Sequence, residues 1–248
     1  MKFNNSIKSI IKDFINFFKE RPIGYGKGIY NSPWDFPELM LYELLYKAKE
    51  KQNIFIVGGS YCDELESLSR TNKLSNVVIL EPSSDIKVQS ELKKNVKRFY
   101  ESSIIINKAA SFEEGKSDFY KTNIEGTASL LKLGMISKEY HLLKQKETTQ
   151  VELTTLDKVS EETGIVPDIL WIDVQGAELM VLNGAKKILR SVNLVFLETS
   201  VFEPTYENGT TFAQIYNFLK NFGFFPLQLG SDIKDGTGNA LFVKSLFR

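Results

Sequence analysis

From Asn53 onward the chain is cut into short apolar runs separated by segments of helix length, and no other feature restricts its fold as much. The runs cover residues 54–57, 77–80, 103–106, 169–174, 194–197 and 240–243. Each is too short for a helix and has turn residues at its ends. Most are nearly continuous and rich in Val and Ile, as strands buried on both faces are. Residues 63–69, 85–96, 177–189 and 212–222 lie between them and read as helices. This alternation predicts an α/β fold with a doubly wound sheet covered by helices. Residues 113–149 are the least regular, and loops with at most a short extra strand are expected there.

Before Asn53 the pattern differs. Residues 1–50 read as an N-terminal helical extension, and residues 51–248 as the main domain. Ile7, Ile10, Ile11, Phe14, Phe17 and Phe18 recur at helical spacing until Pro22, Gly24 and Gly26 break the helix. A loop carrying Tyr25, Tyr30, Trp34 and Phe36 follows, then a second helix. The first helix packs on its own domain or on a second subunit, so a homo-oligomer stays open.

Composition excludes several classes. Lys plus Arg and Asp plus Glu are 31 each, which argues against an electropositive nucleic-acid binder. The one cysteine, Cys62, rules out an internal disulfide and fits a reducing compartment. The one histidine, His141, rules out a multi-histidine metal site within the chain. No run approaches the ~18 apolar residues of a spanning helix. Lys8, Lys12 and Asp13 interrupt the N-terminal stretch, so no secretory signal is read and a cytoplasmic setting is expected.

Open α/β sheets bind ligands beyond the carboxyl ends of their strands. Gly58-Gly59-Ser60 follows the first strand, where glycines let backbone approach a ligand closely. Glu81-Pro82 follows the second. Glu81 stands about 23 residues after Gly58, near the spacing at which an acid receives ribose hydroxyls in nucleotide-binding folds. Residues 107–111, with Ala109, end the third and fit the side of an adenine pocket. The run Asp168 to Ala185 carries most information: a buried strand delivers Asp173, Gly176 turns the chain, and Glu178 falls in the next helix's first turn. A carboxylate beside Trp171 and Ile172 needs a partner or a task. Glu198 is a third acid on the same edge, and Tyr206 lies in the loop after it. Three acids suit a cationic or polyhydroxylated ligand, or Mg²⁺.

Over residues 51–248 the chain resembles the FkbM-type methyltransferases. The resemblance rests on Glu81-Pro82, on Thr154-Thr155-Leu156-Asp157, on residues 173–178 continuing through Leu182-Asn183-Gly184-Ala185, and on Glu198 with residues 212–219 and Gly223-Phe224. It implies a Rossmann-like class I methyltransferase fold with a mostly parallel seven-stranded sheet. It also implies S-adenosylmethionine as cofactor and O-methylation of an acceptor, often a sugar of a glycan. The family opens with an acid on its first strand and a glycine-rich run. Here the acid is replaced by Ile56 and the last glycine by Cys62, and Asp63 is the residue that would stand in.

The cofactor site is therefore assigned to Gly58, Gly59, Ser60, Asp63, Glu81, Pro82, Ala109 and Asp173. Asp173 is the first choice for the base that takes the acceptor's proton, with Glu178 and Glu198 as second choices. Tyr30, Trp34, His141 and Tyr206 are assigned to the acceptor. Mg²⁺ held by the acids is the less favoured arrangement, and no metal ligand is assigned. The alternatives are a non-sugar or lipid acceptor, and a non-catalytic binding protein that kept the fold. A nicotinamide-dependent dehydrogenase is disfavoured because G-x-G-x-x-G is absent.

Overall fold

The computed structural model describes residues 36–134, 143–231 and 236–244. Tyr30, Trp34 and His141 lie outside the described residues, as does the first expected helix. In chain order the elements are α1 (Phe36–Lys47), β1 (Gln52–Val57), α2 (Glu64–Thr71), β2 (Leu74–Leu80), α3 (Ile86–Phe99), β3 (Ile104–Ile106), β4 (Ala109–Ala110) and β5 (Gly115–Thr122). They continue with β6 (Gln145–Thr154), α4 (Leu156–Thr163), β7 (Ile169–Ile172), α5 (Glu178–Asn183), β8 (Leu194–Ser200), α6 (Phe212–Leu219), β9 (Phe224–Ser231) and β10 (Thr237–Lys244).

Seven strands make the main sheet, in the order β3-β2-β1-β7-β8-β10-β9. The first five are mutually parallel, and β10 runs antiparallel to both of its neighbours. This is the mostly parallel doubly wound sheet that the runs predict. Its alternation fills two cores. Phe55, Val57, Leu170 and Ile172 pack with Leu156, Val181, Leu182 and Ile215 on one face. Ile54, Ile56, Ile169 and Trp171 pack with Leu41, Leu45, Leu65 and Leu92 on the other. Each such fully buried side chain stabilises the fold by about 1.5–3 kcal/mol. The chain leaves β1 toward β2 and later returns on the opposite flank as β7. The carboxyl ends of β1, β2 and β7 therefore surround the point where strand order reverses.

Two expectations are corrected. Residues 113–149 hold more than loops: β5 pairs antiparallel with β6, and β4 pairs parallel with β6, making a second sheet of three strands. Its core is thin, with Ala109, Phe119, Val151 and Leu153 buried and Ala128 and Leu130 against them. One buried face of few residues left little apolar periodicity to read. The helix expected over 177–189 also ends early, at Asn183. A Cβ on Gly184 would stand 2.0 Å from the Ser111 carbonyl oxygen, so glycine is required where the second sheet meets α5. The chain resumes as a 3₁₀ turn over Ile188–Arg190. Just before it, the Asp157 carboxylate accepts the Lys187 and Ile188 N–H groups at 3.0 Å. The Asp157 N–H also donates to the Gly184 carbonyl at 2.9 Å, so two separate family-like segments meet there.

Among the described residues no helix is long and apolar enough to cross a membrane.

Candidate active site

A cavity of about 350 Å³ opens beyond the carboxyl ends of β1, β2 and β7. Gly58 and Ser60 line it after β1, Glu81 and Pro82 after β2, and Asp173 after β7. The second sheet closes it with Ala109 and Phe119, and residues 121–126 form its rim.

Gly58 has φ +82°, and a Cβ there would lie 1.7 Å from the Asp173 carbonyl oxygen. The glycine thus serves the close approach of β1 and β7 at the pocket floor and also borders the cavity. Gly59 faces inward, where a Cβ would meet Ile79 Cγ2 at 2.7 Å, and it does not line the cavity.

Glu81 is 5 % exposed. Its Oε2 accepts the Ser60 N–H and its Oε1 the Ser83 N–H, each at 2.7 Å. One carboxylate therefore ties together the two loops that flank the pocket. Each of its oxygens keeps a lone pair, so ribose hydroxyls have acceptors there. Burial raises its pKa, and the two N–H groups oppose that rise. Asn107, at the end of β3, donates to the Glu81 and Ser83 carbonyls at 2.7 and 3.1 Å and braces the same loop.

The backbone N–H of Asp173 donates to the Val57 carbonyl at 2.9 Å. Its carboxylate accepts from the Gln175 side-chain amide at 2.7 Å, and the same nitrogen donates to Glu198 Oε2 at 2.5 Å. One amide nitrogen thus bridges the two carboxylates. Burial pushes the Asp173 carboxyl up, while its neighbours Gln175 and Glu198 oppose the rise. Tyr206 is buried; its hydroxyl contacts the Thr127 carbonyl at 2.7 Å and Gln175 Oε1 at 3.1 Å. It stands behind Gln175 and not on the pocket wall.

Glu178 is brought near Asp173 but is only 1 % exposed. Its Oε1 accepts the Gly176 N–H at 2.9 Å, and its Oε2 is buried without a hydrogen bond. Burial pushes its carboxyl up to about 7. It holds the turn that presents Asp173.

Ile56 is fully buried in the helix-covered core and offers nothing to the pocket. Asp63 is exposed before α2, accepts from Asn95 at 3.0 Å, and does not line the cavity. The next residue, Glu64, lies within the electrostatic reach of Asp173, and desolvation pushes its carboxyl up to about 8. Cys62 is buried at φ +57° and donates to Glu64 at 3.5 Å, with its thiol raised well above its ordinary range. It is core packing, not a nucleophile.

Sequence reasoning missed Gln175, Glu64 and the rim. At the rim Glu125 accepts from Lys87 at 2.6 Å and from the Tyr61 hydroxyl, linking the loop after β5 to α3 and to the loop after β1. The motif around Asp173 could have flagged Gln175; nothing in the sequence placed residues 121–126 over the pocket. Among the described residues no three His, Cys, Asp or Glu converge to hold a metal ion.

A glycine turn, a loop-binding acid and a second acid surround one cavity at the carboxyl edge of a Rossmann-like sheet. The chain belongs to the FkbM methyltransferase family: the model of the Methyltransferase FkbM domain matches residues 52–226. The chain is similar to the 2-O-methyltransferase NoeI of Sinorhizobium fredii (strain NBRC 101917 / NGR234), at 31 % identity over 136 residues. The match covers 50 % of this chain and 56 % of that protein, so it spans little more than half the length of this curated relative. Among solved structures, the methyltransferase FkbM of Methylobacillus flagellatus KT superposes with a TM-score of 0.53 at 14 % identity, over 78 % of this chain and 43 % of that one. The precorrin-6y C5,15-methyltransferase of Geobacter metallireducens GS-15 gives 0.45 at 11 % identity, over 82 % and 86 %.

Proposed function

We propose that this chain is an S-adenosylmethionine-dependent O-methyltransferase acting on a sugar hydroxyl of a glycan or glycoconjugate. The observation that carries the reading is one cavity with Glu81 on one side and Asp173 on another. The likeness to a 2-O-methyltransferase supports oxygen as the methylated atom.

The donor set fits the cofactor. Glu81 receives the ribose hydroxyls with its remaining lone pairs, Ala109 and Phe119 border an apolar wall for the base, and acids near Asp173 favour a cation. The chemistry supplied by bound S-adenosylmethionine is an electrophilic methyl group, released with the bonding electron pair left on sulfur. Asp173 takes the proton of the acceptor hydroxyl, which contributes roughly 10²–10⁴-fold. Glu178 holds the Gly176 turn so that Asp173 stays at the pocket edge. The second sheet limits water at the opposite wall, so alignment supplies much of the acceleration. The buried free thiol of Cys62 fits a reducing, cytoplasmic setting.

Methyl transfer from labelled S-adenosylmethionine to a panel of oligosaccharide acceptors tests this reading. Asp173→Asn is expected to lose at least ~100-fold in kcat. Labelling of lipid or small-molecule acceptors alone would move the substrate class. Cofactor binding without transfer to any acceptor would favour a non-catalytic role, the reading that Ile56 on the first strand supports.

A further inference from the structure

Gln175 sits in a conformation that its residue type disfavours. Its φ is +56°, in the left-handed region where a residue other than glycine, Asn or Asp is uncommon. Held strain of this kind persists only where neighbours over-determine it. Here they do. Ser129 Oγ donates to the Gln175 carbonyl at 2.8 Å, and Tyr206 reaches its side-chain oxygen at 3.1 Å. The side-chain nitrogen is thereby aimed at Asp173 and Glu198, at 2.7 and 2.5 Å.

We propose that Gln175 is the positioning residue of this site: one amide nitrogen clamps the carboxylates of Asp173 and Glu198 into a single proton-accepting pair at the edge of the pocket. This rests on the reading that Asp173 receives the acceptor's proton. In that step the acceptor's O–H bond breaks as its oxygen takes the methyl group, an O–H bond forms on Asp173, and Gln175 holds Glu198 beside it.

The surroundings explain why an amide stands here. Titratable groups that act together with Asp173 include Glu64 from α2, Glu81 after β2, Glu178 from α5, and Tyr206 from the loop after β8; Glu38 of α1 acts in turn on Glu64, and Lys121 and Lys146 line the same cavity. Two adjacent carboxylates share one site more readily when neutral donors hold both. An amide NH₂ offers two hydrogens from a single atom and adds no charge, whereas a glutamate would add a third negative charge and no donor.

The test is a ¹³C NMR titration of side-chain carboxyl carbons in the full chain, with Asp173→Asn and Glu198→Gln used to assign the two signals. In the wild type the pair is expected to titrate in two coupled steps. In Gln175→Leu and Gln175→Gly both steps move up by about one pH unit or more. In methyl transfer, kcat falls by ~10–100-fold and its acid limb moves up with the pair. Gln175→Gly relieves the backbone strain and so serves as the variant that folds. Unchanged titration in a folded Gln175→Gly overturns the clamp, and failure of both variants to fold would make Gln175 structural and overturn it as well. Full transfer by Asp173→Asn instead overturns the functional reading and leaves the carboxyl titration to judge the clamp alone.

Discussion

The pocket has two walls of unequal build. The main sheet supplies its floor through three strand ends locked by backbone: Gly58 against the Asp173 carbonyl, the Asp173 N–H to Val57, and Glu81 joining two loops. The second sheet supplies the facing wall from only four buried apolar residues, with ion pairs such as Lys121–Glu147 at 3.2 Å across its strands. The first wall sits on two cores, the second on a patch. Such contrast is typical of sites that must hold chemistry in register yet admit ligands, since mobile elements are drawn from the less stable end of a fold.

The largest break in this comparison is Gly58→Ala. Backbone lies where the new Cβ must go and φ is positive, so neither rotamer change nor side-chain movement relieves the clash. Destabilisation above ~4 kcal/mol, or no folded protein, is expected in denaturant titrations. Phe119→Ala should act differently. It removes the largest side chain of the thin core, at a cost of about 3 kcal/mol. The loss is local: amide exchange quickens in β5 and β6 while β1 and β7 stay protected. Equal loss of protection in both sheets would show one cooperative unit and dissolve the contrast. Glu125→Ala is the mildest probe. Its partners Lys87 and Tyr61 are at the surface, so cofactor-product affinity should weaken about fivefold or less, and less still at high salt.

Legibility in the sequence followed the same division. The continuous Val and Ile runs of β1, β2, β7 and β8 announce strands because burial on both faces leaves no polar positions. Acids at strand ends were visible for the same reason: a charged residue closing an apolar run has few other readings. The second sheet was illegible, because β5 reads Gly-Lys-Ser-Asp-Phe-Tyr-Lys-Thr and buries only Phe119. Roles also depended on directions that spacing does not encode. Glu178 turns inward to the Gly176 N–H and Asp63 outward to Asn95, while Glu64 is the buried acid near Asp173. Gln175 lies inside the motif around Asp173, but its role depends on a left-handed backbone that no pattern of residue types reports.

The central claim is that the strand-end cavity holds the adenosyl cofactor through Glu81. Titration calorimetry with S-adenosylhomocysteine on the full chain and on Glu81→Gln tests it most directly. The account predicts one site per chain in the wild type and at least ~10-fold weaker binding in the variant, since a charge-assisted hydrogen bond contributes roughly 1.5–3 kcal/mol. No heat of binding in the wild type, or equal affinity in both, would contradict it.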